Sequence, residues 1–394
     1  MWFTTTHKTP LKPLLHKLTP FLPDYTPTAV KNALATTLAV LRARTTCLYK
    51  LRCGLGSILG APDTAPGSHY RRLIRLFDDY ATTDLWLDLV ACGLRLLRLK
   101  SAYLILDGTS WQRGERWENL LTLCVVYEDV AIPLIWHDLQ RQGPSSYEER
   151  EALMARAFER FDLAGMTLLA DREYIGERWF DYLIDNGLDL CIRSRDTTYF
   201  RHVDRSGPGA PRVREMLREV RHSAKPNKAL RRPFRFAPDG PRFWFVAARN
   251  PESPAGAPEV ILLITSVDRG AYRTARAYLK RWKVEHCLRH LKSNGFDLEA
   301  ANLATPERRR LLAAIVVLAY VISCVEALRD YRRKVRFKRH GSDGRRWRAI
   351  SVFRYGADAV STRIGDLRTF CRYLADALTR AMNGYRSSTL LLNV

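Results

Sequence analysis

The stretch "AYLILDGTSW", residues 102–111, decides how this chain is read. Tyr103, Leu104, Ile105 and Leu106 make a short apolar run of strand length, and it closes on Asp107. The stretch "MTLLAD", residues 166–171, has the same design and closes on Asp171. A carboxylate at the end of a buried strand is costly unless it is solvated, paired or bound to a cation. In an open α/β sheet, strand ends are where side chains converge on a common edge. Two aspartates placed this way therefore point to a shared cation site.

The surrounding sequence supplies the rest of a sheet. "NLLTLCVVY" and "VAIPLIWHDL" flank Glu128-Asp129 and read as a hairpin. Ser146 and Glu149 have the spacing of a helix capping box. "GERWFDYLIDNG" reads as a helix closed by Gly187, and "LDLCIRSR" as the next strand. The order strand, strand, strand, helix, strand, helix, strand predicts an α/β fold, a mixed sheet with flanking helices. Residues 196–258 change texture: "FRHV", "FRFAP" and "RFWFVAA" lie among prolines, glycines and arginines and read as a mostly β insertion. "EVILLITS" then returns to a buried strand.

These readings divide the chain into five parts. Residues 1–98 form an N-terminal helical region, expected to bind DNA through a helix bearing Arg71, Arg72 and Arg75. Residues 99–195 are the first part of the core, 196–258 the insertion, and 259–330 the second part of the core. Residues 331–394 are a basic C-terminal region for DNA contact or oligomerisation; "YRRKVRFKRHGSDGRRWR" alone carries nine Lys/Arg against one Asp.

"YLKRWKVEHCLRHLK", residues 278–292, reads as a helix. At about 100° per residue, Tyr278, Arg281, Glu285 and Lys292 fall at roughly 0°, 300°, 340° and 320°. That is one narrow stripe with a single acid among cations. Val284, Leu288 and Leu291 fall beside it and form the apolar face.

Bulk composition fits a nucleic-acid partner. Over 394 residues, 64 Lys+Arg stand against 41 Asp+Glu, a net charge of +23, and a chain this basic implies a polyanionic partner. Eight cysteines with no CxxC pair argue against a structural zinc site and for reduced thiols in a cytoplasm. No apolar signal-peptide core opens the sequence. The longest apolar run, residues 311–325, is shorter than the ~20 residues of a membrane span, so no membrane partner is expected.

Three carboxylates on separate elements, Asp107, Asp171 and Glu285, suit a hard divalent cation such as Mg²⁺, which takes oxygen ligands. Two such ions about 3.5–4 Å apart activate an attacking oxygen and stabilise a leaving one in phosphoryl displacement. Arg281 and Lys292 would serve phosphates beside the scissile bond, Tyr278 would hydrogen-bond one, and Trp282 offers a flat face for a base or sugar. His286 and His290, spaced i, i+4, read as DNA-facing or solvated histidines, and Glu173 as a helix-start residue.

The 278–292 stretch fits Tyr-x2-Arg-x3-Glu-x6-Lys without a gap, and in this it resembles the DDE transposases of the insertion-sequence-4 family. "LILDGTSW", "LLADREYIG" and a β insertion between the second Asp and the Glu resemble the same family, over roughly residues 100–330. The resemblance implies a ribonuclease-H-like catalytic fold. It also implies two Mg²⁺ ions, with Mn²⁺ as a substitute, on Asp107, Asp171 and Glu285. DNA contacts would come from Tyr278, Arg281, Trp282 and Lys292. The implied activity is cleavage at transposon ends and strand transfer into target DNA. The partners would be terminal inverted repeats and target duplex, with a homodimer in a synaptic complex, in a bacterial cytoplasm at the nucleoid. One position departs from the pattern: relatives that cut through a hairpin carry a tryptophan where this chain has Ile261. Two other functions compete with this one: an inactive or domesticated DNA-binding regulator, and a nuclease of similar fold that cuts without joining.

Overall fold

In the computed structural model, residues 9–97, 101–113, 115–195, 212–225, 227–250, 259–339 and 346–383 are described. Strand β1 (Tyr103–Arg113) pairs antiparallel with β2 (Arg116–Tyr127), which pairs antiparallel with β3 (Val130–Asp138). Glu128 turns this hairpin with a φ of 51°. On its other edge β1 runs parallel to β4 (Thr167–Ala170), and β4 runs parallel to β5 (Asp189–Arg193). The hydrophobic alternation is blunted in β4, which is buried along its whole length, as a strand covered on both faces should be.

Three more strands complete the sheet: β6 (Ala229–Phe234), β7 (Phe243–Arg249) and β8 (Val260–Thr265), with β8 antiparallel to both β5 and β7. The full order is β3-β2-β1-β4-β5-β8-β7-β6. This is a mixed sheet with flanking helices, as expected. The segment between β5 and β8 thus lengthens the sheet by two strands. It also holds helix α8 (Val213–His222), whose Val213, Met216 and Val220 are buried at helical spacing; the strand-oriented reading of that segment overlooked this helix. "FRHV" lies outside the described residues.

Helices α1 (Lys12–Leu18), α2 (Pro27–Ala43), α3 (Leu48–Leu59), α4 (Pro66–Tyr80) and α5 (Leu85–Leu94) precede the sheet. Helix α6 (Tyr147–Arg160) starts on a complete capping box: Glu149 N donates to Ser146 Oγ at 3.2 Å and Ser146 N donates to Glu149 Oε2 at 2.6 Å. Helix α7 (Glu177–Asp185) is followed by Gly187 at φ 75°. After β8 come α9 (Ala271–Tyr278), a 3-10 segment (Leu279–Trp282) and α10 (Lys283–Lys292). Helix α11 (Pro306–Leu328) has the length and apolarity of a membrane span, but 89% of its most apolar window is buried inside the fold. It packs against α2, α5 and a late helix, α13 (Val352–Arg363), and so ties both ends of the chain to the sheet. A Cβ at Gly356 of α13 would lie 1.8 Å from the Ser323 carbonyl of α11, so only glycine permits that approach. Between them lies α12 (Tyr331–Lys334), and α14 (Leu367–Asn383) closes the described chain.

Two sequence expectations are corrected here. Strand β1 does not end at Asp107; it continues six residues to Arg113, paired with β2 alone, because β4 stops at Ala170. Nor is 278–292 one regular α-helix, since its Leu279–Trp282 turn is 3-10. A 3-10 turn advances about 120° per residue rather than 100°, which brings Tyr278 and Arg281, three residues apart, onto one line and keeps them on the stripe with Glu285 and Lys292.

Candidate active site

Residues Leu106 and Ala170 are register partners in the parallel β1–β4 pair. Asp107 and Asp171 are therefore the next residues on two neighbouring strands, which run about 4.8 Å apart. Asp171 leaves the sheet at once; its Oδ1 accepts from Arg172 N at 2.8 Å and caps the 3-10 turn Arg172–Tyr174. Asp107 stays in the strand, its Oδ1 accepting from Gly108 N at 3.0 Å.

Arg281, only 5% exposed, fills the space beside them. Its Nη1 donates to Asp107 Oδ2 at 2.9 Å and its Nη2 to Glu285 Oε1 at 3.0 Å. Burial alone would lower the Arg281 pKa, but Tyr278, Asp107, Asp171 and Glu285 together raise it. One guanidinium is thus held by two carboxylates, from a strand and a helix, and the charge of Asp171 also acts on it. Burial raises the Asp107 carboxyl to about 6; Arg281 and the Gly108 N–H oppose this, and Glu173 and Glu285 add to it.

The other expected residues divide by depth. Tyr278 is 2% exposed, packed inside rather than offered to solvent, and burial pushes its pKa upward. Trp282 is half-buried and Glu285 is exposed. Lys292 reaches back to β1: its Nζ donates to Ser110 O at 3.1 Å and Thr109 Oγ1 at 3.4 Å, pairs with Glu299 at 3.2 Å, and lies 5.0 Å from the Trp111 ring centroid. His286 is exposed, whereas His290 is tilted against Phe353 with centroids 4.6 Å apart and has its pKa lowered to about 4 by burial and the neighbouring His286 and Arg289. The two histidines therefore present no shared chelating face. Ile261 is buried in β8, and the Trp244 ring in β7 is covered by the Arg231 guanidinium at 4.3 Å.

Glu173 stands at a helix start as expected, in the 3-10 turn after Asp171, and its side chain also reaches β1. Its Oε1 lies 3.9 Å, and the Tyr174 hydroxyl 3.7 Å, from where a Gly108 Cβ would be. Glu173 therefore faces β1 directly beyond Asp107. Alternation along β1 would have placed Gly108 on the face opposite Asp107, but nothing in the sequence brought the turn after Asp171 against it.

Among the described residues, no three His, Cys, Asp or Glu side chains are placed to hold a metal ion as they stand. The donor chemistry nevertheless suits one: the acids are all oxygen donors, and they already surround a buried positive charge. Arg281 is in effect a stand-in cation. What the arrangement offers chemically is a cluster of carboxylates at the end of a parallel strand pair, with Arg281 and Lys292 close by.

The family model for the transposase DDE domain matches residues 100–322. Among solved structures, a cryo-EM structure of a piggyBac transposase synaptic complex with hairpin DNA aligns with 91% of this chain and 76% of that one, at 12% identity and a TM-score of 0.43. No curated protein sequence matches the chain.

Proposed function

The chain belongs to the transposase DDE domain family, and from that premise we propose that it is a catalytic transposase of the insertion-sequence-4 type. It would cut DNA at the ends of its element and join the freed ends to target DNA. The observation that carries this reading is the gathering of Asp107, Asp171 and Glu285 about one buried guanidinium. In the first step water adds to the phosphorus as the P–O3′ bond breaks, leaving a 3′-hydroxyl and a 5′-phosphate. In the second, that 3′ oxygen bonds to a target phosphorus as the target's own 3′ oxygen departs, so one phosphodiester is exchanged for another.

Two divalent ions, Mg²⁺ or Mn²⁺, would activate the attacking oxygen and stabilise the leaving one, with Asp107, Asp171 and Glu285 as their holders. Arg281 must first leave Asp107 and Glu285, and a phosphate diester gives it a bidentate partner to leave for. Lys292, already fixed beside β1, would meet the next phosphate along. Trp282 lies where a base or sugar could stack. Tyr278 acts from inside, packed beside Arg281, rather than as a surface contact. The N-terminal helices with Arg71, Arg72 and Arg75 and the basic C-terminal region would hold duplex DNA in a homodimeric synaptic complex, at the nucleoid.

Alanine at Asp107, Asp171 or Glu285 should reduce Mg²⁺-dependent nicking of element ends by at least about a thousandfold, on the scale of losing a centre for phosphoryl-transfer charge. Binding of the same ends, read by gel shift, should persist. Nicking retained by all three variants would refute the assignment. A wild-type chain that binds ends but never cuts would identify a regulator, and one that cuts but gives no joined product would identify a nuclease.

A further inference from the structure

A groove of about 330 Å³ opens on the face of β1 that Asp107 does not use. Asp107 and Thr109 face α10, where Arg281 and Lys292 meet them. Alternation along the strand sends Gly108 and Ser110 to the opposite face, and their β2 partners Leu121 and Asn119 follow them. Trp117, paired with Gln112, continues that row toward the hairpin tip and is 37% exposed. Glu173 and Tyr174 close the end of the groove nearest Asp107, and the loop through Gln142 and Ser145 makes its outer wall.

The walls are built. Asn119 Nδ2 donates to the carbonyls of Arg141 and Gly143, both at 2.9 Å. Buried Arg150 donates to Ser145 Oγ at 3.0 Å, to Ser145 O at 2.7 Å and to Glu173 O at 3.3 Å. It thereby ties the loop to the turn that follows Asp171. Arg141 spends its charge on Glu149, at 2.6 Å. What faces the groove is then a flat exposed indole, a serine hydroxyl, the Gln142 amide and one carboxylate. Among the residues whose side chains are described, no lysine or arginine lines it.

That lining selects a ligand class. Among the lining residues a phosphate would meet Glu173 and no cation, whereas an unpaired base can stack on an exposed indole. A carboxylate accepts from the exocyclic amino group of cytosine, and by the same chemistry from that of adenine. A strand whose phosphate lies at Asp107 extends in two directions. The α10 face, with Lys292, serves one of them.

We infer that this groove, between Trp117 and Glu173, binds an unpaired nucleotide on the other side of the scissile phosphate, in the flanking or target strand, and favours adenine or cytosine. The inference rests on the DNA-cleaving reading above. It adds a second subsite to the edge of the sheet, reached by melting the duplex there rather than by following its groove.

The test uses a forked DNA with one unpaired arm carrying 5-iodocytosine, irradiated with the full chain in Ca²⁺. Expected is a cross-link to the peptide containing Trp117, reduced at least tenfold in W117A, partly restored in W117F, and unaffected in W244A. Unlabelled forks with dA or dC arms should compete several-fold better than those with dT arms, and E173Q should remove that preference. A cross-link mapping elsewhere, or one of equal yield in W117A, with fork binding intact, would overturn the groove. No binding of any DNA by the wild-type chain would instead overturn the reading on which it rests.

Discussion

The two ends of the 278–292 segment carry the same kind of residue in two different settings. At its first end Arg281 is buried and bound on both sides by carboxylates. At its last end Lys292 is also mostly covered, but its main hold is on the backbone and hydroxyl of β1, with one acid, Glu299, beside it. Both were expected to be DNA contacts of equal rank. The structure separates them: one completes the electrostatics of the free site, and the other braces the strand that carries Asp107.

The largest effect should follow removal of Arg281. Breaking a buried ion pair by deleting one partner leaves an uncompensated charge, at a cost on the order of 3 kcal/mol. R281Q should therefore melt several degrees below the wild type in EDTA. Mn²⁺ should restore most of that loss by taking the vacated place, while adding little to the wild type. K292Q should change neither quantity by more than a fraction of this. Equal melting behaviour of the two variants, with and without Mn²⁺, would erase the distinction drawn between the ends.

A smaller effect concerns protons at the first end only. The folded pKa of Asp107 lies above its ordinary value, at about 6. Well below its ordinary value of 3.8, the group is protonated in both folded and unfolded chains and contributes nothing. As pH rises from about 4 to 6 the unfolded chain releases its proton first, so this residue lowers stability, and the loss is complete above about 6. In EDTA, the unfolding free energy of D107N minus that of the wild type should therefore increase across that window and then level off, by about 3 kcal/mol in all. A flat difference from pH 4 to 8 would mean the carboxyl is not held in a destabilising place.

How much of this was legible in the sequence depends on what each feature obeys. The strand pattern around Asp107 and Asp171 is short-range, and the sheet core follows it: "AYLIL" and "MTLLA" are neighbouring parallel strands whose register brings the two aspartates side by side. The Ser146 cap is equally local and forms as spaced. The run of β1 past Asp107 was not readable, because polar Thr109 and Ser110 are held there by pairing with β2 rather than by burial. The burial of Arg281 and Tyr278 was not readable either. A helical wheel gives direction and not depth, and this stripe is covered by the sheet strands packed against it. The nearness of Glu173 to Gly108 is a tertiary contact with no periodic signature.

The measurement that bears most directly on the shared cation site is iron-directed cleavage of the polypeptide. Fe²⁺ loaded in place of Mg²⁺ onto the DNA-bound chain, with ascorbate and peroxide, cuts backbone close to the ion. Cuts clustered near residues 107, 171 and 285, all lost together in D107N, are the expected result. Cuts near only one of the three, or a pattern that D107N leaves unchanged, would contradict the account.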